Sequence, residues 1–399
     1  MKIIADANIP LVVEAFGPVG EVVALPAERI TRDAVRQADA LLVRSVTRVD
    51  AALLEGSAVR FVATATIGFD HIDQAHLARR GIAWAYAPGS NARSVAEYVL
   101  AALAVLAERG GYGMLGRRLG IVGCGNVGGR LARMAEALGM TVLRNDPPLA
   151  RKTGPSRASG SSDAPRYVPI EALADADVVT FHVPLEHQGP DATYHMINSR
   201  LLARLKRGVT VINSSRGSVA ETAALKAAVD GGQIGALVLD VWEGEPNIDL
   251  DLLARTALAT PHIAGYSYDG KVNGTRMVLE SLCRHFGLRR EWDPGPLLPP
   301  APVPRVHVPA GLGIEKVLRR AMAAAYDMEA DDRRLRAVAG QPPERRGQYF
   351  SDLRKHYPVR REFPQTTAEF ETPDEAAMAA LRALDFPVAA RGNRRKDVP

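Results

Sequence analysis

The chain has 399 residues, 47% of them hydrophobic and 24% charged, with a formal net charge of +5. This length allows two or three domains, and the composition is that of an ordinary folded protein. Much of the positive excess lies after residue 390, so the charge describes a tail more than a nucleic-acid-binding face. The two cysteines, Cys124 and Cys283, indicate neither a disulfide framework nor a metal site. With no signal peptide and no membrane-length apolar run, we expect a cytoplasmic protein without a membrane partner.

Short apolar runs alternate with helical patterns over residues 1–90. We predict strands at 2–5, 21–25, 40–44, 61–65 and 82–86, with helices at 31–37 and 72–79 between them. This order is typical of parallel strands joined by crossover helices. Arg44, Ser45 and Thr66 stand just past strand ends, where ligands bind in open α/β sheets. Turn capping by Ser45 and Thr66 is the competing interpretation.

A long apolar helix is predicted at residues 94–109. Ser94 and Glu97 have the spacing of a capping box, which would place the start of the helix at Ser94. Its nearly continuous Ala, Leu and Val surface predicts burial between layers.

The segment Gly120 to Leu131 contains the pattern G-x-G-x-x-G at Gly123, Gly125 and Gly128. A predicted strand at 119–122 precedes it and an amphipathic helix at 126–138 follows. The glycines permit a tight turn, a close approach to a pyrophosphate and close packing of helix on strand, while the helix N-terminus offers free N–H groups. We therefore predict a dinucleotide site that includes Asn126 and Val127.

A second strand, at 141–143, is followed by Asp146. A carboxylate at about this distance from the glycines binds the ribose hydroxyls of NAD and repels the 2′-phosphate of NADP. Asp146 thus favours NAD, although the nearby Arg144 weakens the preference.

Further strands are predicted at 178–181, 210–213, 236–240 and 257–259, with helices at 198–205 and 220–229. Six strands with intervening helices match a doubly wound sheet. Residues 149–166 interrupt this order, because they are rich in Ser, Gly, Pro and Arg and lack periodicity. We predict a flexible surface insertion there.

Arg216, Glu245 and His262 follow three late strands at their carboxyl ends. Oxidation of a secondary alcohol by hydride transfer needs a base, and neutral imidazole has a suitable pKa. A carboxylate can fix the tautomer of His262, and a guanidinium can bind a substrate carboxylate. Taken singly, His262 could be a core residue, Glu245 a turn residue and Arg216 a helix-end cation. Their order on a dinucleotide-binding fold favours a catalytic role for all three.

At these residues the sequence resembles the D-isomer-specific 2-hydroxyacid dehydrogenases. The resemblance is carried by the glycine pattern and by the segments 42–47, 64–71, 91–98, 213–217, 239–246, 262–267 and 269–271. It implies Arg216, Glu245 and His262 as catalytic residues, with substrate contacts at Ser45, Thr66 and Tyr266. The NAD contacts that it implies are Asp146, Val183, Ser214, Ser215, Arg216, Asp240 and Gly265.

The resemblance also implies the domain organisation and the partners. It divides the chain into a discontinuous substrate domain (1–92 and 266–288), an NAD-binding domain (93–265), a C-terminal dimerisation domain (289–384) and a disordered tail (385–399). The expected fold is α/β, with two Rossmann-like doubly wound domains and an α+β dimerisation domain. Prolines between 294 and 309 predict an extended linker, and helices are expected at 314–326 and 376–384. A homodimer acting on a small phosphorylated 2-hydroxy acid is implied.

Three alternatives remain open from the sequence. The substrate could be that of a phosphoglycerate or a glyoxylate/hydroxypyruvate enzyme, and a non-enzymatic NAD-sensing protein on this fold is a third possibility. The spacing does not identify the residue that binds a substrate phosphate. The candidates in the C-terminal region are all arginines, for which solvation or dimer pairing is the simpler role: Arg345, Arg346, Arg354, Arg360 and Arg361.

Overall fold

The structure, a computed structural model, describes residues 1–153 and 166–390. Strands and helices alternate from the first residues onward. Up to residue 110 the elements are β1 (Lys2–Asp6), α1 (Val12–Phe16), β2 (Glu21–Leu25), α2 (Arg32–Val35), β3 (Ala40–Val43), α3 (Ala51–Leu54), β4 (Phe61–Thr64), α4 (Gln74–Arg80), β5 (Ala83–Tyr86) and α5 (Ala92–Gly110).

The alternation continues through the middle of the chain. Its elements are β6 (Arg118–Val122), α6 (Asn126–Ala137), β7 (Thr141–Asn145), α7 (Pro147–Thr153), β8 (Val178–Phe181), α8 (Ser199–Leu202), β9 (Val209–Asn213), α9 (Thr222–Asp230), β10 (Ile234–Leu239), α10 (Leu250–Arg255), β11 (Leu258–Ala259) and α11 (Tyr268–Phe286).

The C-terminal region adds a shorter series of elements. These are β12 (Arg305–Val308), α12 (Ile314–Ala325), α13 (Met328–Arg336), α14 (Arg346–Lys355), β13 (Thr367–Phe370), α15 (Glu375–Ala383) and β14 (Val388–Ala390). No helix in the described ranges is long and apolar enough to cross a membrane.

The chain forms two compact units. The first unit comprises Met1–Arg93 and Tyr266–Pro299, and the second comprises Ser94–Gly265 and Pro300–Pro399. In the first unit a parallel sheet has the strand order β2-β1-β3-β4-β5. One face of this sheet packs against α1 and α11, and the other packs against α2, α3 and α4. Apolar side chains cover both faces, as a doubly wound sheet requires.

The second unit contains a parallel sheet with the order β11-β10-β9-β8-β6-β7. The order reverses between β6 and β8, because β7 lies on one side of β6 and β8 on the other. Ligands of such sheets bind at the carboxyl ends of the strands beside this reversal. The predicted α/β class with two Rossmann-like sheets is confirmed.

A smaller sheet, with the order β12-β13-β14, lies in the C-terminal part of the second unit. Its strands are parallel, and helices occupy the connections between them. This region therefore alternates strands and helices, instead of separating them as the expected α+β description implies.

Two predicted irregular segments contain regular structure. Arg305–Val308 lies inside the predicted linker 294–309 and pairs with β13 along its length, because the flanking prolines stand outside the paired residues. Val388–Ala390 lies inside the predicted disordered tail and also pairs with β13. Disorder was thus the wrong prediction for 385–390, while residues 391–399 lie outside the described residues.

The predicted insertion at 149–166 begins too early. Leu149 to Thr153 belong to α7, which starts with a proline, a residue suited to a first helical position. Asp146 accepts the Leu149 N–H at 2.9 Å and so satisfies a free group of the first turn. Residues 154–165 of the predicted insertion lie outside the described residues.

The capping box predicted at Ser94 is wrong. α5 begins at Ala92, so Ser94 and Glu97 are both inside the helix and fully buried. Glu97 Oε1 instead accepts the backbone N–H of Phe363 at 3.0 Å. This contact joins residues far apart in the chain, and spacing alone could not reveal it.

Candidate active site

The glycine-rich turn lies between β6 and α6. Gly123 has a φ of +85°, and a Cβ there would lie 2.6 Å from the carbonyl oxygen of His182. A Cβ on Gly128 would lie 2.0 Å from the carbonyl oxygen of Gly123, so only glycine lets α6 pack this closely on β6. Around Gly125, by contrast, a Cβ would meet nothing within 4 Å. Open space before a helix N-terminus fits a pyrophosphate.

Asp146 lies directly after β7, beside this turn. Its Oδ2 accepts the backbone N–H of Cys124 at 2.8 Å, which fixes the carboxylate next to the glycines. Arg144 forms two 2.7 Å hydrogen bonds with Glu136, and these bonds raise the pKa of the guanidinium. The charge of Arg144 is paired with Glu136, and its effect on the preference for NAD stays a prediction.

His182 is a residue that the sequence analysis missed. It directly follows β8, next to Val183, at the reversal of the strand order. Its Nε2 lies 3.0 Å from Thr180 Oγ1, and its Nδ1 lies 3.4 Å from the hydroxyl of Ser214. Burial lowers the pKa of His182 to about 3, so the ring is neutral. The rule that polar residues follow strand ends would have found it.

Arg216 is held by the turn that follows β9. Asn213 is fully buried; its Oδ1 accepts hydrogen bonds from the backbone N–H and hydroxyl of Ser215, and its amide donates to the Arg216 carbonyl at 3.0 Å. A Cβ on Gly217 would lie 1.9 Å from the carbonyl oxygen of Trp242. Glycine therefore lets the Arg216 turn approach the Trp242–Glu245 loop.

Glu245 and His262 form the central pair of the site. His262 Nδ1 lies 2.6 Å from Glu245 Oε1. Because an ionised carboxylate only accepts hydrogen bonds, Nδ1 carries a proton, and in the neutral imidazole Nε2 is then the acceptor. Burial would raise the pKa of Glu245, but the hydrogen bond and charge of His262, with the charge of Arg354, hold it below its ordinary value. This is the histidine and carboxylate arrangement of a general base.

The backbone at His262 is unusual, with a φ of +57°. Non-glycine residues seldom adopt the left-handed region, and such strain persists where the surroundings impose it. Here Asp240 imposes it. The His262 N–H donates to the Asp240 carbonyl at 2.6 Å, and the buried carboxylate accepts the N–H groups of Ile263 and Ala264 at 2.7 and 3.0 Å. Asp240 therefore shapes the His262 loop, and its predicted contact with NAD stays a prediction.

Comparison with known proteins agrees with this geometry. Residues 103–264 match the family model described as D-isomer specific 2-hydroxyacid dehydrogenase, NAD binding domain. Erythronate-4-phosphate dehydrogenase of Salinibacter ruber is 48% identical over 92% of this chain and 93% of its own length. The enzyme of that name from Marinobacter nauticus is 44% identical, over 97% of this chain and 99% of its own length.

The chain belongs to the erythronate-4-phosphate dehydrogenase family. It is an NAD-dependent dehydrogenase of the D-2-hydroxyacid type. Among solved structures, the TT0316 protein of Thermus thermophilus is 25% identical with a TM-score of 0.59, and it covers 72% of this chain and 98% of its own. The D-lactate dehydrogenase of Aquifex aeolicus, complexed with NAD and lactic acid, shares the fold at 23% identity, with a TM-score of 0.56, over 72% of this chain and 96% of its own.

These solved structures leave over a quarter of the chain without a counterpart. Residues 297–384 match a domain of unknown function, DUF3410. In this chain, residues 297–384 include side chains that bond to the backbone on either side of His262. Arg360, only 4% exposed, donates to the carbonyls of Ala264 at 3.1 Å and of Ser94 at 2.9 Å. Asp332 Oδ1 accepts the backbone N–H of Ala259 at 2.8 Å.

The predicted substrate residues Arg44, Ser45, Thr66 and Tyr266 all belong to the first unit. Arg44 donates to the Asn8 carbonyl at 3.0 Å, and Ser45 is exposed. The Thr66 hydroxyl donates to the Gly68 carbonyl at 2.9 Å, which agrees with its turn-capping interpretation. Their contacts with substrate stay predictions, as do those of the remaining expected NAD residues with the cofactor: Gly123, Gly125, Asn126, Val127, Gly128, Val183, Ser214, Ser215 and Gly265.

Proposed function

We propose that this protein oxidises the C2 hydroxyl of 4-phospho-D-erythronate to (R)-3-hydroxy-2-oxo-4-phosphooxybutanoate, in the biosynthesis of pyridoxal 5′-phosphate. The observation that carries the proposal is the 2.6 Å contact between His262 and Glu245. It lies in a unit that also holds the glycine-rich turn and Arg216. The names of the relatives supply the substrate.

In this reaction His262 accepts the proton of the C2 hydroxyl at Nε2. Glu245 keeps the other ring proton on Nδ1 and stabilises the imidazolium that forms. Arg216 binds the substrate carboxylate, because a guanidinium matches a carboxylate in two parallel hydrogen bonds. Bound NAD supplies the acceptor for the hydride that leaves C2. The proton and the hydride together account for the two-electron oxidation.

The test is NADH formation, followed by absorbance. The purified full chain is given 4-phosphoerythronate, 3-phosphoglycerate or glycerate under identical conditions. We expect the highest kcat/KM with 4-phosphoerythronate. A preference for 3-phosphoglycerate or glycerate would assign the protein to another branch of the 2-hydroxyacid dehydrogenases. Binding of NAD without turnover of any acid would favour a sensing role.

We also propose that the protein is a cytoplasmic homodimer in which residues 289–384 form the interface. The resemblance of the C-terminal region supports the dimer, and the two buried, unpaired cysteines suit a reducing compartment. Light scattering of the full chain at several concentrations measures the oligomeric state. A mass equal to one chain throughout would exclude the dimer.

A further inference from the structure

Lys271 occupies an unusual place in the first unit. It lies in the first turns of α11, whose N-terminus is capped by Ser267, the acceptor for the Gly270 N–H at 2.9 Å. The ammonium nitrogen lies 4.4 Å from the ring centroid of Tyr266, one of the predicted substrate contacts. The side chain therefore extends toward the predicted substrate residues of this unit.

Arg44 approaches the same place from β3. Its guanidinium donates to the carbonyl of Asn8 at 3.0 Å. One turn after Lys271, the hydroxyl of Thr275 donates to the carbonyl of Pro10 at 2.9 Å. The loop after β1 is thus held by Arg44 on one side and by α11 on the other. This packing places Lys271 and Arg44, from distant parts of the sequence, within electrostatic range of each other.

The two cations have no anion between them. Burial and the positive charge of Arg44 together lower the pKa of Lys271 to about 8. In residues 1–153 and 166–390, no carboxylate forms an ion pair with either side chain. Placing like charges together in a partly desolvated site costs free energy, and a bound anion reverses that cost.

We propose that Lys271 and Arg44 bind the phosphate group of the substrate. A phosphate ester carries close to two negative charges at neutral pH and has three acceptor oxygens, which suits a compact ammonium and a forked guanidinium together. The inference rests on the proposed function only for the identity of the phosphorylated acid.

The test measures equilibrium binding, so that it does not depend on turnover. Isothermal titration calorimetry gives the dissociation constants of 4-phosphoerythronate and of erythronate for the NADH-bound full chain. We expect the preference of the wild-type protein for the phosphorylated acid to fall about 10- to 100-fold in Lys271→Met, the effect of losing a charged hydrogen bond. Lys271→Arg should retain part of the preference.

A matched control lies on the same helix. Arg276 is an exposed cation that pairs with Glu280, so Arg276→Met should leave the preference unchanged. NADH binding and the unfolding midpoint show whether each variant is folded. If Lys271→Met does not fold, the same ratio measured with Arg44→Gln decides the question.

The outcomes separate this inference from the proposed function. An unchanged preference in both Lys271→Met and Arg44→Gln would overturn the phosphate site even if the wild-type protein oxidises 4-phosphoerythronate. If the wild-type protein binds the phosphorylated acid through Lys271 without oxidising it, the phosphate site stands and the proposed reaction fails.

Discussion

Arg360 in the second unit and Lys271 in the first are both cations, but their surroundings shift the two pKa values in opposite directions. Arg360 in the second unit is buried and donates to two backbone carbonyls, and its guanidinium carbon lies 3.7 Å from the ring centroid of Tyr326. Burial alone would lower its pKa, but the surrounding tyrosines and the charges of Glu97 and Asp331 raise it. Lys271 in the first unit has a second cation beside it, and its pKa falls.

This difference in pKa distinguishes a cation that stabilises the fold from a cation that is suited to bind an anion. Arg360 is stabilised by the fold itself, because two of its donors bond to backbone carbonyls and the charges of Glu97 and Asp331 in the second unit favour its charged form. In the fold the charged form of Lys271 costs free energy, and a bound anion offsets that cost. If this difference holds, Arg360 contributes to stability, whereas Lys271 contributes to binding.

The largest effect, on kcat, is expected at His262, whose loop is held by Arg360. His262→Ala should lower kcat by roughly 10² to 10⁴, because general-base catalysis is lost. Steady-state NADH formation measures it, and the affinity for NAD, determined by fluorescence titration, should change little. A rate close to that of the wild type would remove His262 from the mechanism.

Arg360→Met should destabilise the protein by about 3–5 kcal/mol, since it leaves buried acceptors and carboxylates without their cation. Chemical denaturation at pH 7 measures the change.

Lys271→Met is the contrasting variant. The folded-state pKa of Lys271 lies below its ordinary value of 10.5, so its protonated form costs stability below pH 8, a cost that disappears as the pH rises toward 10.5.

Lys271→Met should therefore leave the unfolding free energy at pH 7 equal to or above that of the wild type. A loss as large as that of Arg360→Met would contradict the contrast between the two cations.

The pH dependence of substrate binding should report Lys271. Its pKa in the free protein is about 8, lowered by burial and by Arg44, and only the protonated form attracts a phosphate dianion. KM for the phosphorylated substrate should rise above pH 8, by about tenfold per pH unit. Initial rates between pH 7 and 9.5 measure the change. Lys271→Arg should abolish this rise, because an arginine stays protonated throughout the range.

The smallest effect is expected at Arg354 on α14. Its charge helps to hold the pKa of Glu245 below the ordinary value, together with His262. Arg354→Gln should raise that pKa, so that the acid limb of the kcat/KM profile moves to higher pH by up to about one unit. An unshifted acid limb would mean that α14 supports the Glu245 loop by packing alone.

The sequence determined the local features of the site. The spacing of Gly123, Gly125 and Gly128 and the alternation of strands and helices predicted both Rossmann-like sheets, because these depend on short-range backbone geometry. The chemical order of Arg216, Glu245 and His262 was also visible, since each follows a strand end. The structure brings Glu245 and His262 into contact as expected.

Only the tertiary structure decided which charges meet and which are satisfied. The carboxylate of Asp240 is held by backbone N–H groups of the His262 loop, and Glu97 accepts a hydrogen bond from the C-terminal region. β14 pairs in a segment that was expected to be disordered. The pKa of Lys271 is lowered by burial and by Arg44, a residue distant in sequence. Burial and electrostatic interaction depend on neighbours brought together by long-range packing, and local patterns contain no record of those neighbours.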